Sequence, residues 1–233
     1  MPYKRYKRSI RSQASRYNRF KSGPDYMPAT GRGVYALAKA AYKTAKYTKS
    51  RLNTEFKDLT NVYTPSVSAS GSITTLNGLQ EGTGASRRDG RQVEFKSLNI
   101  HGRLKMAATK SSTTVRMILF KWKGPDGRLP TIGDLLENSA APNYQAFYNL
   151  ENVPQDFQIL QDKRFELNVQ DKDLLSFDIR YNDHDVKTRY QGNSSSYLDI
   201  STNGLYLAVV ASTYDGVNFP SLDIVSRLRY VDN

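Results

Sequence analysis

Cysteine is absent from the 233 residues, which excludes disulfides, thiolate zinc sites and thiol nucleophiles. Histidine is nearly absent: His101 and His184 are the only two, too few for a histidine-built metal centre or histidine-rich catalysis. Long apolar runs are missing. The longest, residues 205–211, suits a buried strand and falls far short of the roughly 18 residues that span a bilayer. The basic N-terminus lacks the apolar stretch a secretory signal requires. Acidic residues are missing from the N-terminal fifth. Residues 1–51 hold fourteen of the 34 lysines and arginines but one of the 22 acids, Asp25, for a net charge of +13. The remainder carries 20 basic against 21 acidic side chains, a net −1. A near-neutral body with a basic tail reads as a folded unit plus a polyanion-binding arm.

The arm, residues 1–30, interleaves Lys4, Arg5, Lys7, Arg8, Arg11, Arg16, Arg19 and Lys21 with Tyr3, Tyr6, Tyr17 and Phe20. With almost no aliphatic residue it cannot build a core, and disorder is expected in the absence of a ligand. Lysine and arginine neutralise phosphates and release condensed counterions, and the rings stack on bases without reading sequence. Residues 31–52 follow as an amphipathic basic helix and linker, the helix itself running over 33–50. Val34, Leu37, Ala41, Ala45 and Leu52 share one face, and Arg32, Lys39, Lys43 and Lys46 share the other. All twelve of these lysines and arginines are candidate nucleic-acid-binding residues. A plain solvated tail, a nuclear import signal or a membrane-surface helix are the competing readings; the mostly alanine apolar face argues against membrane insertion.

From about residue 54 the hydrophobic period changes to two, and residues 53–233 read as one β domain. Val93 and Phe95 point one way while Leu98, Ile100 and Leu104 follow the opposite parity, so one long strand with a bulge at Lys96–Ser97 is expected. Residues 115–122 and 205–211 are apolar on both parities, as doubly covered strands are. Thr131 is placed to cap a short helix, and residues 68–90 read as a long loop or short irregular strands. Many strands without alternating helices indicate an all-β antiparallel sandwich or barrel. Long connections at 124–156 and 182–203 favour Greek-key or jelly-roll wiring.

Catalytic signals are thin. Asp183-His184-Asp185 reads as a solvated turn. Asp171 and Asp173 do not continue into a calcium loop. Gly82-Thr83-Gly84 lacks the following helix and lysine of a phosphate loop. The Asn193-Ser194-Ser195 sequon has no secretory context, and His101 reads as a satisfied mid-strand residue. No catalytic residue, metal site or cofactor is assigned. A cellular nucleic-acid-binding β-barrel with a basic tail is the alternative function. The body's charge of −1 argues against it, and the lack of paired carboxylates argues against a β-sandwich hydrolase.

Several short runs resemble one family. Asn53-Thr54-Glu55-Phe56-Lys57, the turn from Gly82 to Gly90 running into residues 93–104, residues 114–120, the run from Phe157 to Lys163 and the run from Ser226 to Asp232 are similar, in order, to segments of the capsid proteins of small circular, Rep-encoding single-stranded DNA viruses. The resemblance implies an eight-stranded jelly roll, an icosahedral T=1 shell of sixty copies, and a single-stranded DNA genome against the arm (or RNA on heterologous expression). It also implies a nuclear import receptor and residence in virion and host nucleus. Sixty arms would supply ~780 positive charges, enough to offset on the order of a thousand phosphates. Tyr144, Phe147, Tyr148 and Phe219, in long loops, would then fill contacts between subunits.

Overall fold

The computed structural model describes residues 37–45, 55–107, 112–124, 127–137, 144–182, 187–212 and 219–232. The chain divides into two compact units after Thr54. In the first, residues 37–45 form a helix, α1, with every residue exposed. The second is built from ten strands: β1 (Phe56–Tyr63), β2 (Ser72–Thr75), β3 (Gln92–Lys105), β4 (Ser112–Trp122), β5 (Phe157–Asn168), β6 (Leu174–Asn182), β7 (Lys187–Tyr190), β8 (Ile200–Thr202), β9 (Gly204–Ala211) and β10 (Ser221–Asp232). Two short helices, α2 (Ile132–Leu135) and α3 (Val153–Asp156), lie between β4 and β5.

The pairing is nested. β1 pairs with β10, β2 with β9, β3 with β6 and β4 with β5, all antiparallel. A long hairpin rolled up in this way gives one sheet in the order β1-β10-β3, with β6 and β7 sharing the far edge of the long β3 and β8 outside β7, and a second sheet in the order β2-β9-β4-β5. This is a jelly roll: two Greek keys wrapped into a sandwich. Eight strands carry it; β7 and β8 are a short extension inside the long 182–203 connection. The loop expected over 68–90 contains β2 and an isolated bridge, Glu81–Arg88.

Alternation decides which face each strand buries. On β10, Leu222, Ile224, Ser226, Leu228 and Tyr230 are buried while the residues between them are exposed. The core between the sheets gathers Val93, Phe95, Leu98, Ile100 and Leu104 of β3 with Val115, Met117 and Leu119 of β4 and Leu205, Leu207 and Val209 of β9. Tyr230 stands opposite Phe95 and Arg229 opposite Ser97, so Lys96 is the extra residue of a bulge. That bulge keeps Phe95 and Leu98 on the same buried side although three positions separate them. Gly102 faces inward, and a Cβ there would overlap the Phe177 ring.

The doubly apolar strands are covered twice. The outward residues Ile118, Phe120 and Trp122 of β4 and Tyr206, Ala208 and Val210 of β9 join Leu135, Leu136, Ala146 and Phe157 in a second apolar cluster. Residues 127–137 and 144–156 supply its lid. The rings of Trp122 and Phe157 stack at 5.3 Å, and those of Phe120 and Phe157 meet edge-on at 5.6 Å. Thr131 caps α2: Asp134 N–H donates to its hydroxyl at 3.2 Å, and Thr131 N–H donates back to the Asp134 carboxylate at 2.8 Å.

Candidate assembly surface and nucleic-acid arm

Of the twelve candidate nucleic-acid-binding residues, Lys39 and Lys43 fall on α1. They are four residues apart, hence one turn apart on one exposed face, where like charges repel and weaken an isolated helix. A bound polyanion would reverse that sign. Leu37 and Ala41 take the same spacing on another face, and Leu37 is exposed. Lys4, Arg5, Lys7, Arg8, Arg11, Arg16, Arg19, Lys21, Arg32 and Lys46 lie outside the described residues, as do Val34, Leu52 and Asp183-His184-Asp185.

In the body, three buried cations hold loops to strands. Lys57 of β1 is 2.8 Å from both Asp89 and Asp232, tying the first strand to the 82–90 turn and to the end of the last strand. Burial disfavours its charge, but hydrogen bonds to Asp232 and Asp89 prevail and raise its pKa above that of a free lysine. Arg88 is fully buried. Its guanidinium donates to Leu79 O at 3.0 Å, Gly90 O at 2.6 Å and Glu81 Oε2 at 3.2 Å, and also to Gly192 O, while it stacks 4.5 Å over the Tyr190 ring. One planar fork thus joins three chain segments.

Arg116 lies on the outer face of β4, buried under the lid. It donates to Asp162 of β5 through Nε and Nη2 at 2.7–3.2 Å and to Ala146 O at 2.6 Å. Tyr148 closes the triangle, its hydroxyl donating to Asp162 at 2.5 Å and its ring 5.2 Å from the guanidinium. Burial pushes the Asp162 carboxyl up, but the hydrogen bonds from Arg116 and Tyr148 win and hold it below the usual carboxylate range. Burial pushes the Tyr148 phenol up to about 12. The backbone of residues 144–149 is fixed further by Glu137 N–H to Phe147 O at 2.9 Å and Asn149 N–H to Leu135 O at 3.0 Å.

The sheets differ on their outer sides. The β1-β10-β3-β6 face is bare. Its outward positions include Asp58, Arg227, Arg229, Asn99, His101, Arg103, Asp178 and Arg180, with the exposed apolar residues Phe56, Val62 and Val225 among them. Arg229 pairs with Asp58 at 2.9–3.0 Å. His101 is exposed, stands opposite Val225 of β10, and contacts Asp178 at 2.5 Å. The other outer face is sealed by its own lid. Tyr144 and Tyr148, expected at subunit contacts, pack half-buried into that lid, and Phe219, expected there too, packs half-buried against the main core. Phe147 does project, as does Leu150, which sequence reasoning overlooked. The sequon is structural: Ser194 N–H and hydroxyl both donate to Asp199 at 2.6 Å. Among the described residues no cluster of histidines and carboxylates has the makings of a metal site.

The family model for satellite tobacco necrosis virus coat protein matches residues 39–233. The chain belongs to that family. It is a viral coat protein, with a structural rather than a catalytic role. Among solved structures it is similar to a protein of desmodium yellow mottle tymovirus, at 12% identity and a TM-score of 0.34 over 77% of this chain and 88% of that one. It is also similar to the infectious bursal disease virus VP2 subviral particle, at 9% identity and a TM-score of 0.26 over 78% of this chain and 33% of that one. Comparison with curated proteins returns no match. The matched coat-protein family is not that of the circular single-stranded DNA viruses. Those motifs were a few residues each, whereas the family match runs through the whole sandwich. Assignment to the circular DNA viruses is therefore corrected, and a DNA genome and nuclear entry lose the support that resemblance lent them.

Proposed function

We propose that this coat protein closes into a small icosahedral shell of sixty copies, a T=1 particle, and packages a single-stranded nucleic acid through its N-terminal arm. The observation that carries the reading is the segregation of charge: +13 in residues 1–51 against −1 in the rest. A body near neutrality can pack against copies of itself without strong mutual repulsion, while the arm supplies the counter-charge for a genome. The labour divides between residues 1–30 as arm, 31–52 as basic helix and linker, and 53–233 as shell domain. Lysine and arginine engage phosphate, and Tyr3, Tyr6, Tyr17 and Phe20 stack on bases; neither chemistry distinguishes ribose from deoxyribose.

Negative-stain microscopy of purified protein tests the shell. Uniform small particles are expected, and their nucleic acid, digested after disruption with ribonuclease or deoxyribonuclease, identifies the cargo. Particles that form equally well and hold equal nucleic acid without residues 1–50 would remove the arm from the mechanism.

A further inference from the structure

Phe147 and Leu150 are the two most exposed large apolar side chains among the described residues, at 79% and 76%. They are not on a loose loop. Phe147 lies between the buried Ala146 and the packed Tyr148, and its own carbonyl accepts from Glu137 N–H. The Arg116–Asp162–Tyr148 triangle holds the backbone on one side, and Asn149 holds it on the other through its bonds to Leu135 O and, at 3.3 Å, to Gly133 O. The backbone of this segment is therefore already ordered in the isolated subunit. Binding through it costs only the ordering of the two exposed side chains, and large anchors that enter a pocket are where interface energy concentrates.

Beside the projection lies a cleft of about 530 Å³, walled by Gly71 and Ile73 on one side and Leu129, Ile132, Gly133 and Leu136 on the other. Its shape is fixed too. Gly71 adopts φ +77°, and a Cβ there would come within 2.7 Å of Ile132. α2 is held by its capping box. Knob and hollow share their supports, since Gly133 and Leu136 line the cleft while Gly133 O and the strand bridge Leu136–Tyr148 hold the knob. The rim of the recess also carries Ser70, Ser72 and Thr131, but its apolar walls match the projection, and one surface carrying both can meet a rotated copy of itself, knob into hollow.

We propose that Phe147 and Leu150 of one subunit seat in the cleft between β2 and α2 of a neighbouring copy, forming a principal contact of the shell. The proposal rests on the shell reading above and names where its apolar contact lies. Two variants of the full chain test it. Phe147→Ser with Leu150→Ser removes the knob at positions that bury less than a quarter of their surface within the subunit. Gly133→Trp fills the hollow, and space exists for it, the nearest atom to a Cβ there being Thr131 Oγ1 at 3.8 Å. Both should unfold at the wild-type temperature. Each should weaken subunit association by about tenfold or more, so that sedimentation shows subunits or small oligomers where wild type gives shells. Normal shells from either folded variant overturn the contact and leave the shell standing. Wild-type protein that never assembles overturns the shell, and the contact with it.

Discussion

Arg88 is wholly withdrawn from the surface, so its backbone carbonyl partners are the condition of its burial. Truncation to Ala leaves the carbonyls of Leu79, Gly90 and Gly192 and the Glu81 carboxylate without their donor. The expected loss is about 3–5 kcal/mol in urea unfolding, and Arg88→Lys should recover little because a point charge cannot replace the fork. A loss under about 1 kcal/mol would mean the hub is dispensable. Carboxylates set the acid limit. A hydrogen bond from Arg229 holds Asp58 below its ordinary pKa, and Asp162 and Asp134 are held low against burial by their donors. A folded pKa below the unfolded value gives stability that is present above about pH 4 and lost as pH falls below it. The melting temperature should therefore be flat near neutrality and drop below pH 4, less steeply in Asp162→Asn. Phenols set the alkaline limit. Burial raises Tyr148 and Tyr230 to about 12, so their contribution is present below about pH 10 and lost above it. None of the buried cations was legible in sequence: Arg88 sat in what reads as a turn, and only the isolation of Arg116 within an apolar strand hinted at a buried partner.

β3 shows what the sequence does disclose about elements. Its parity switch located the bulge because a core tolerates one face only, and the register shift falls at Lys96. Deleting Lys96 should therefore leave a regular strand with Phe95 and Leu98 still inward, at a cost of roughly 1 kcal/mol or less. Deleting Asn99, in the regular stretch, forces either a new bulge or reversal of one half of the strand, and should prevent folding. Thermal melts of the two deletions decide this, and equal damage from both would contradict the register argument. Strand parity and the Thr131 cap were readable because they depend on neighbouring residues. The bare outer face and the sealed one were not. Which sheet the lid covers is a long-range fact, and it gives Tyr144 and Tyr148 packing partners within their own subunit that the sequence did not disclose. The pairing of His101 with Asp178 likewise joins residues 77 apart in sequence.

At the scale of the molecule, nested pairing of ends toward the middle makes one sandwich from a chain whose first and last strands are neighbours. Its first strand, β1, begins after the division at Thr54. A chain without residues 1–50 is expected to melt within a few degrees of full-length protein. The charge asymmetry was fully legible from composition by position; which polyanion it meets was not, because phosphate and base faces are common to all single strands. The most direct test of the account is binding of full-length and arm-deleted protein to a single-stranded oligonucleotide over a range of salt. The full chain should lose affinity with a log–log slope of about −0.7 per phosphate neutralised, and the arm-deleted chain should bind weakly with a shallow slope. Equal affinity and equal slope for the two would contradict it.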